Sequence, residues 1–299
     1  MILMYHCVAT PPADPGGPSV APAAFRAQMA YLRREYHPMP LEDLARAVAA
    51  GTIPERAVAV TVDDGYLDAL EVASPILVEY EIPATFFITT RHVDDEGEFW
   101  WDTLGRILLT GDDLPPVIDV VVNGARWRSA TATPTDRDAA RTAIAQRLIR
   151  TSAGERDRVV QRLTEWAGVK SLPRPGHRPM LRHEIATLGA RPGHTIGAHG
   201  VDHLFLPSQP HRIQVQEIEA SKACLEEILG RPVLAFSYPH GGCDAETIKV
   251  VRDAGFACAV TTTIEPIERV TDVMRLPRHE IDGRDPARFS VLFGGPASS

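Results

Sequence analysis

Long apolar runs are missing from this 299-residue chain. No stretch approaches the ~18 consecutive apolar residues that a bilayer-spanning helix needs, so no membrane span is expected. A basic face is missing too. The formal net charge is -8 and only three lysines occur, so nothing in the sequence would neutralise a nucleic-acid backbone or settle on an anionic membrane. Nucleic acid is therefore excluded as an expected partner. Cysteine is scarce, and Cys7, Cys224, Cys243 and Cys258 show no CxxC spacing, which suits buried free thiols better than a disulfide framework. Cys243 stands near His240 in sequence, yet nothing else completes a thiol nucleophile at Cys7 or Cys243. The opening Met-Ile-Leu-Met-Tyr-His turns at once polar and proline-rich. No charged leader with a following apolar stretch can be drawn, so the expected location is cytoplasmic, with a missing upstream segment left open. Internal repeats and low-complexity tracts are absent, and oligomeric state is not readable.

What is present is a core. At 44% apolar content the chain can fill one large α/β domain, and apolar runs of strand length alternate with amphipathic patterns almost throughout. Strands are expected at 2–5, 57–62, 84–89, 195–198, 233–238 and 256–262, with a last one at 273–276. Between them Phe25, Met29, Leu32 and Tyr36 follow helical spacing, as do Leu41, Leu44, Ala45 and Val48 before a C-cap at Gly51. A helix after Pro210 carries Ile218, Leu225, Ile228 and Leu229 and stops at Gly230; another begins near Asp244 and ends at Gly255. Such alternation predicts a parallel sheet or barrel with helices outside.

Residues 94–179 break the rhythm. After Phe99-Trp100-Trp101-Asp102 comes an alternating run at 117–122, an Asn123-Gly124 hairpin signal, a second strand at 125–128, and two polar helices near 136–150 and 155–167. This stretch is read as an α+β insertion within a single domain spanning 1–299, and as a possible substrate-binding cap.

Two strings carry chemistry. The buried run 57–62 ends abruptly in Asp63-Asp64-Gly65, at the kind of strand end where α/β proteins build sites; one carboxylate can hold a metal while its neighbour accepts a proton. By itself Asp-Asp-Gly is also a good turn. The second string runs from Thr195 into His199-Gly-Val-Asp-His203. Histidines at i and i+4 share a face if the segment turns helical, and with Asp64 they make a two-histidine, one-carboxylate set that leaves coordination positions open. Asp202 is assigned to solvent or to support behind the ligands.

With these strings in view, the sequence resembles the polysaccharide deacetylase family. Thr61-Val62-Asp63-Asp64-Gly65 looks like its Thr-Phe-Asp-Asp-Gly, and His199 to His203 looks like its His-Ser/Thr-x-x-His. Pro83-Ala84-Thr85-Phe86-Phe87 is similar to the strand after the first motif, and Leu3-Met4-Tyr5-His6 resembles the opening strand of many members. The likeness covers residues 1 to about 92 and 180 to 285. It implies a distorted (β/α) barrel of about seven strands, with Asp63 as base and Asp64, His199 and His203 as ligands of one divalent metal. Zinc is the first expectation, and cobalt, nickel or iron(II) accept the same ligands. The implied reaction is hydrolysis of the N-acetyl group of an N-acetylated amino sugar, giving acetate and a free amine.

The departures are specific. The family's Arg-x-Pro-Tyr appears as Ser237-Tyr238-Pro239-His240, so the arginine that contacts the catalytic aspartate is replaced by serine. His240 stands at the tyrosine position, whose backbone N–H the resemblance assigns to the oxyanion, and its side chain is a candidate substrate contact together with Tyr238. Leu276-Pro277-Arg278-His279 matches the late Leu-x-x-His motif, so the resemblance puts His279 in the general-acid position; the alternative is a structural or substrate-side role, with His240 as the nearest substitute for the acid. His6 is expected to face the same cavity, as a substrate contact or as a satisfied core histidine. Trp100, Trp101 and Asp102 form either a sugar platform or insertion core. His37, His92, His177, His183, His194 and His211 are read as surface or packing residues. Two rival functions remain: an inactive carbohydrate-binding relative, and a non-haem iron oxygenase, whose β-rich double sheet the strand–helix alternation opposes.

Overall fold

The protein is described by a computed structural model covering residues 1–9, 18–111, 113–168, 178–267, 272–283 and 286–293. Of the histidines above, His177 lies outside the described residues.

Strand β1 (Ile2–Tyr5) leads into helix α1 (Pro22–Glu35), a short β2 (His37–Pro38) and α2 (Leu41–Ala50). Then come β3 (Ala57–Val62), α3 (Ser74–Glu79) and β4 (Ala84–Ile88). Every residue of β1, β3 and β4 is buried, as expected of parallel strands covered on both faces. The helices lie against them through narrow stripes: Phe25, Met29 and Leu32 on α1, and Leu41, Leu44, Ala45 and Val48 on α2. Helix α2 stops where expected, at Gly51 with φ 66°.

Residues 94–179 hold α4 (Trp100–Thr110), β5 (Val117–Val122), β6 (Ala125–Ala130), α5 (Pro134–Leu148) and α6 (Ala153–Ala167). The hairpin turn has positive φ at both Asn123 and Gly124, the mirror-image turn that matches strand twist. β5 alternates exposed and buried, and its inner residues Ile118 and Val120 join Leu104, Ile107, Ile144 and Leu163 in a core separate from that of the barrel. A capping box at Thr133 and Asp136 starts α5.

The main rhythm resumes with α7 (Arg182–Gly189), β7 (His194–Ala198), α8 (His211–Leu229), β8 (Ala235–Ser237), α9 (Ala245–Asp253), β9 (Cys258–Val260), β10 (His279–Glu280) and α10 (Pro286–Phe293). Seven parallel strands run in the order β10-β1-β3-β4-β7-β8-β9, with β2 beside β3. The sheet curls until one segment joins its edges: the Leu276 amide donates to Ala259 of β9, and the Ile281 amide to Met4 of β1. This is the distorted barrel of seven strands, with the insertion carried after β4. No described helix is long and apolar enough to cross a membrane.

One expected strand is misplaced. Val273–Arg275 forms a 3-10 turn, because the Asp272 side chain accepts the Met274 amide and offers the backbone a local alternative to the ladder. Of the expected 273–276 strand, Leu276 alone bridges to Val260, and the pairing with β1 is made by His279 and Glu280.

Candidate active site

The C-terminal ends of β1, β3, β7 and β8 converge on one cavity of about 510 Å³, lined among others by His6, Asp63, Asp64, His199, His203 and His240. At the end of β3 the chain turns sharply: Asp64 has φ 72° and Gly65 has φ 90°. This left-handed turn brings two adjacent carboxylates to the same cavity instead of opposite faces. His203 and His240 also sit at positive φ, so three of the six non-glycine described residues in that region belong to this site. Backbone strain is thus concentrated where side chains must be aimed. Beyond His240, Gly241 at φ 70° packs so closely that a Cβ would fall 1.9 Å from Thr262 Oγ1.

Asp64 Oδ1 lies 3.6 Å from His199 Nε2 and 3.5 Å from His203 Nε2, and the two nitrogens are 3.2 Å apart. Metal–ligand bonds of about 2.0–2.1 Å in tetrahedral geometry separate donor atoms by roughly 3.3 Å, so the triangle has the size of one face of such a site. His199 donates its Nδ1–H to the Ser237 carbonyl at 2.7 Å, which fixes the tautomer with Nε2 free to ligate. Burial lowers the His199 pKa to about 4 and holds His203 well below its ordinary value, so both rings are neutral, as ligation requires. Burial pushes the Asp64 carboxyl up to about 7, with Asp63 and Asp102 adding repulsion. A cation in the triangle would favour its ionised form.

Asp63 is governed differently. Burial raises its pKa, but the Arg278 guanidinium and the nearby His199 outweigh it and hold the carboxyl at about 2. Arg278 donates from Nη1 to Oδ1 and from Nη2 to Oδ2, each at 2.7 Å. Ser237 Oγ donates to the same Oδ2 at 3.1 Å and accepts from Arg278 Nη2 at 2.9 Å. The guanidinium is completed by the Thr261 carbonyl and Thr61 Oγ1, and it is fully buried. The arginine missing from the Ser237 position is therefore supplied by β10's approach, and Ser237 leaves the room it occupies.

The same register decides the histidines. Arg278 reaches Asp63, and Glu280 lines the cavity 3.9 Å from His6 Nδ1. Successive side chains on a strand alternate, so His279, between them, takes the opposite face and is not a lining residue. The structure thus does not bring the expected general acid to the site, while His6 and His240 both border it. The His240 ring lies 4.4 Å from that of His203. Tyr238 borders the cavity too, but it is fully buried, packs on Phe236 and donates its hydroxyl to the Met274 carbonyl, so its side chain is a core element. Trp100 and Trp101 wall the cavity from the insertion, Trp101 stacking on Phe99 and standing 4.8 Å from the His203 ring. Asp102 is buried beneath them, accepting from Tyr66, whose hydroxyl also receives the Trp101 N–H. Asp202 accepts from Arg91.

The family model of the polysaccharide deacetylases matches residues 50–115 and 163–259. The chain belongs to the polysaccharide deacetylase family. Over 87 residues, 29% of this chain, the sequence is 31% identical to YxkH of Bacillus subtilis (strain 168), a protein provisionally named a polysaccharide deacetylase. The aligned stretch spans about a third of that relative, 31% of its length. The fold is similar to that of the Streptococcus pyogenes deacetylase PplD, solved with acetate, with a TM-score of 0.59 and 18% identity over 98% of this chain and 96% of that one. It is also similar to IcaB from Ammonifex degensii, with a TM-score of 0.62 and 18% identity over 95% and 92% of the two chains. A de-N-acetylase from Aggregatibacter actinomycetemcomitans gives 0.57 at 15% identity over 94% of each chain.

Within this deacetylase-family chain, sequence reasoning missed Arg278, Glu280 and the insertion residues Ala145 and Ile149, which also line the cavity. A signal for Arg278 existed: it stands in the Leu-Pro-Arg-His string, one residue from the histidine that drew attention.

Proposed function

We propose that this protein is a metal-dependent N-deacetylase of an N-acetylated amino sugar. The observation that carries the reading is the triangle of Asp64, His199 and His203 beside an ionised, arginine-held Asp63, all opening on one cavity. A divalent ion held by those three side chains, zinc first among the candidates, would polarise the amide carbonyl and acidify a water molecule. Asp63 then takes the proton. With a pKa near 2 it is fully ionised at neutral pH, and it accepts only from an acidified donor. Arg278 and Ser237 fix both of its oxygens and so aim its free lone pairs.

The family resemblance assigns the His240 amide as the donor to the developing oxyanion, and the neighbouring amides of Tyr238, Gly241 and Gly242 are occupied by the Val260, Tyr238 and Pro239 carbonyls. His6, in the cavity and near the Glu280 carboxylate, is the residue best placed to protonate the departing amine. Trp100 and Trp101 offer aromatic faces to the pyranose ring, and the insertion that carries them acts as a cap over the sugar. The inactive-relative alternative rested on a missing arginine, and Arg278 removes that ground. Acetate release from a panel of N-acetylated sugars, with metal analysis of the same sample, tests the proposal; a metal-loaded sample that releases no acetate from any of them would sink it.

A further inference from the structure

A second, smaller cavity of about 260 Å³ shares Trp100 and Trp101 with the first, both residues lining the two chambers. It is bounded by α6, by the residues after β4 and by Asp202. At this size it sits below the usual range for drug-sized ligands and suits a single sugar ring.

Its donors and acceptors do not balance. The charged acceptors are engaged, Asp157 and Asp202 both taking Arg91 and Glu98 taking Arg106 at 3.0 Å, and Thr89 Oγ1 is buried without a partner. The donors are left over. Arg156 Nε and Nη1 and Trp100 Nε1 are buried without a hydrogen-bond partner. Arg156 is 1% exposed and stacks 5.4 Å above the Trp100 ring; its nearest carboxylate, Asp202, is 3.8 Å away and engaged elsewhere. A buried guanidinium with unused N–H groups is costly unless an acceptor meets it. Arg156 sits on α6 of the insertion, so the feature belongs to the cap and not to the metal-binding barrel.

We infer that this chamber is a second sugar subsite that takes an oxyanion-bearing unit, carboxylate or phosphate, next to the N-acetylated sugar, with Arg156 as its anchor. The inference rests on the deacetylase reading for its substrate class: an N-acetylated amino sugar joined to an acidic neighbour. A carboxylate or phosphate supplies the acceptors that Arg156 and Trp100 lack.

Two measurements test it. In the first, glucuronic acid, glucose and inorganic phosphate are titrated calorimetrically into the full chain and into Arg156→Met. Saturable binding of an acidic probe, absent for glucose and lost in the variant, is expected, and the two acidic probes tell a carboxylate from a phosphate. Binding that is absent, shared equally by glucose, or unchanged in Arg156→Met overturns the subsite; the last outcome would mean capture at the metal site. In the second, kcat/KM for acetate release is compared between a neutral N-acetylglucosaminide and one linked to a uronate. The acidic substrate should be preferred by roughly tenfold, the worth of one charge-assisted pair, and the preference should vanish in Arg156→Met through KM. Arg156→Lys, which keeps the charge but not the fork, should retain part of it, and it serves if the methionine variant does not fold. Equal kcat/KM for both substrates in the wild type overturns the inference. The calorimetric arm needs no turnover, so it can fail or succeed independently of the hydrolase reading.

Discussion

Arg278 and Asp63 are 215 residues apart in sequence and meet in a buried, two-pronged ion pair at the floor of the candidate active-site cavity. Each prong is 2.7 Å, and Ser237 bridges both partners. The arginine that the resemblance leads one to expect at position 237 is thus absent there, and Arg278 meets the aspartate from another strand end.

Arg278→Met leaves the Asp63 carboxylate buried without its cation. Removing one partner of such a pair typically costs about 3–5 kcal/mol, so denaturant unfolding should shift by that order and turnover should fall with it. Returning the cation from the other strand, as Ser237→Arg combined with Arg278→Ser, should recover part of both losses. A double variant no better than Arg278→Ser would show that the location of the arginine, and not its charge, is what Asp63 needs.

Asp63→Asn should lower acetate release roughly 10²- to 10⁴-fold, the range attributed to a positioned base, while metal content stays at the wild-type level. His199→Ala should lose both. Elemental analysis of the two purified variants separates a proton acceptor from a ligand, and undiminished turnover in Asp63→Asn would refute the base assignment.

His6 and His279 give opposite expectations. His6→Ala should reduce kcat and kcat/KM roughly 10²-fold, because His6 faces the cavity. His279→Ala should leave both nearly unchanged, its side chain taking the other face of β10. The reverse result would mean that the register of the last strand differs from that described.

Acid should weaken the fold well above the ordinary carboxylate range. Burial lowers the folded-state pKa of His194, His199 and His240 to about 4 and holds that of His203 well below its ordinary value. Between pH 6.5 and about 4 the unfolded chain therefore binds protons that the folded chain refuses, and stability drops as pH falls, by roughly 1.4 kcal/mol per pH unit for each such proton. Asp64 and Glu217, whose pKa values burial raises to about 7, act with the opposite sign and partly offset this. Adding a divalent ion holds Asp64 ionised, removes its share of the offset and should steepen the decline. Melting curves from pH 4 to 7, with and without metal, check the sign; a midpoint that rises on acidification would contradict it.

Local sequence determined most of the frame. The all-apolar runs of β1, β3 and β4, the Asn123-Gly124 turn, the Gly51 and Gly230 caps and the strand ends at Asp63 and His199 depend on neighbours a few residues away, and periodicity reports such neighbours directly. The meeting of Asp64, His199 and His203 was legible for the same reason, since two short motifs at strand ends of one parallel barrel face the same rim. The tertiary structure alone decided which residue holds Asp63, which histidine enters the cavity and what the insertion adds. Those outcomes turn on the parity of one strand: a shift of a single residue along β10 would exchange Arg278 for His279 at the floor of the site. That parity is set by pairing with β1, whose partners Leu3 and Met4 lie at the far end of the chain, beyond the reach of any local pattern.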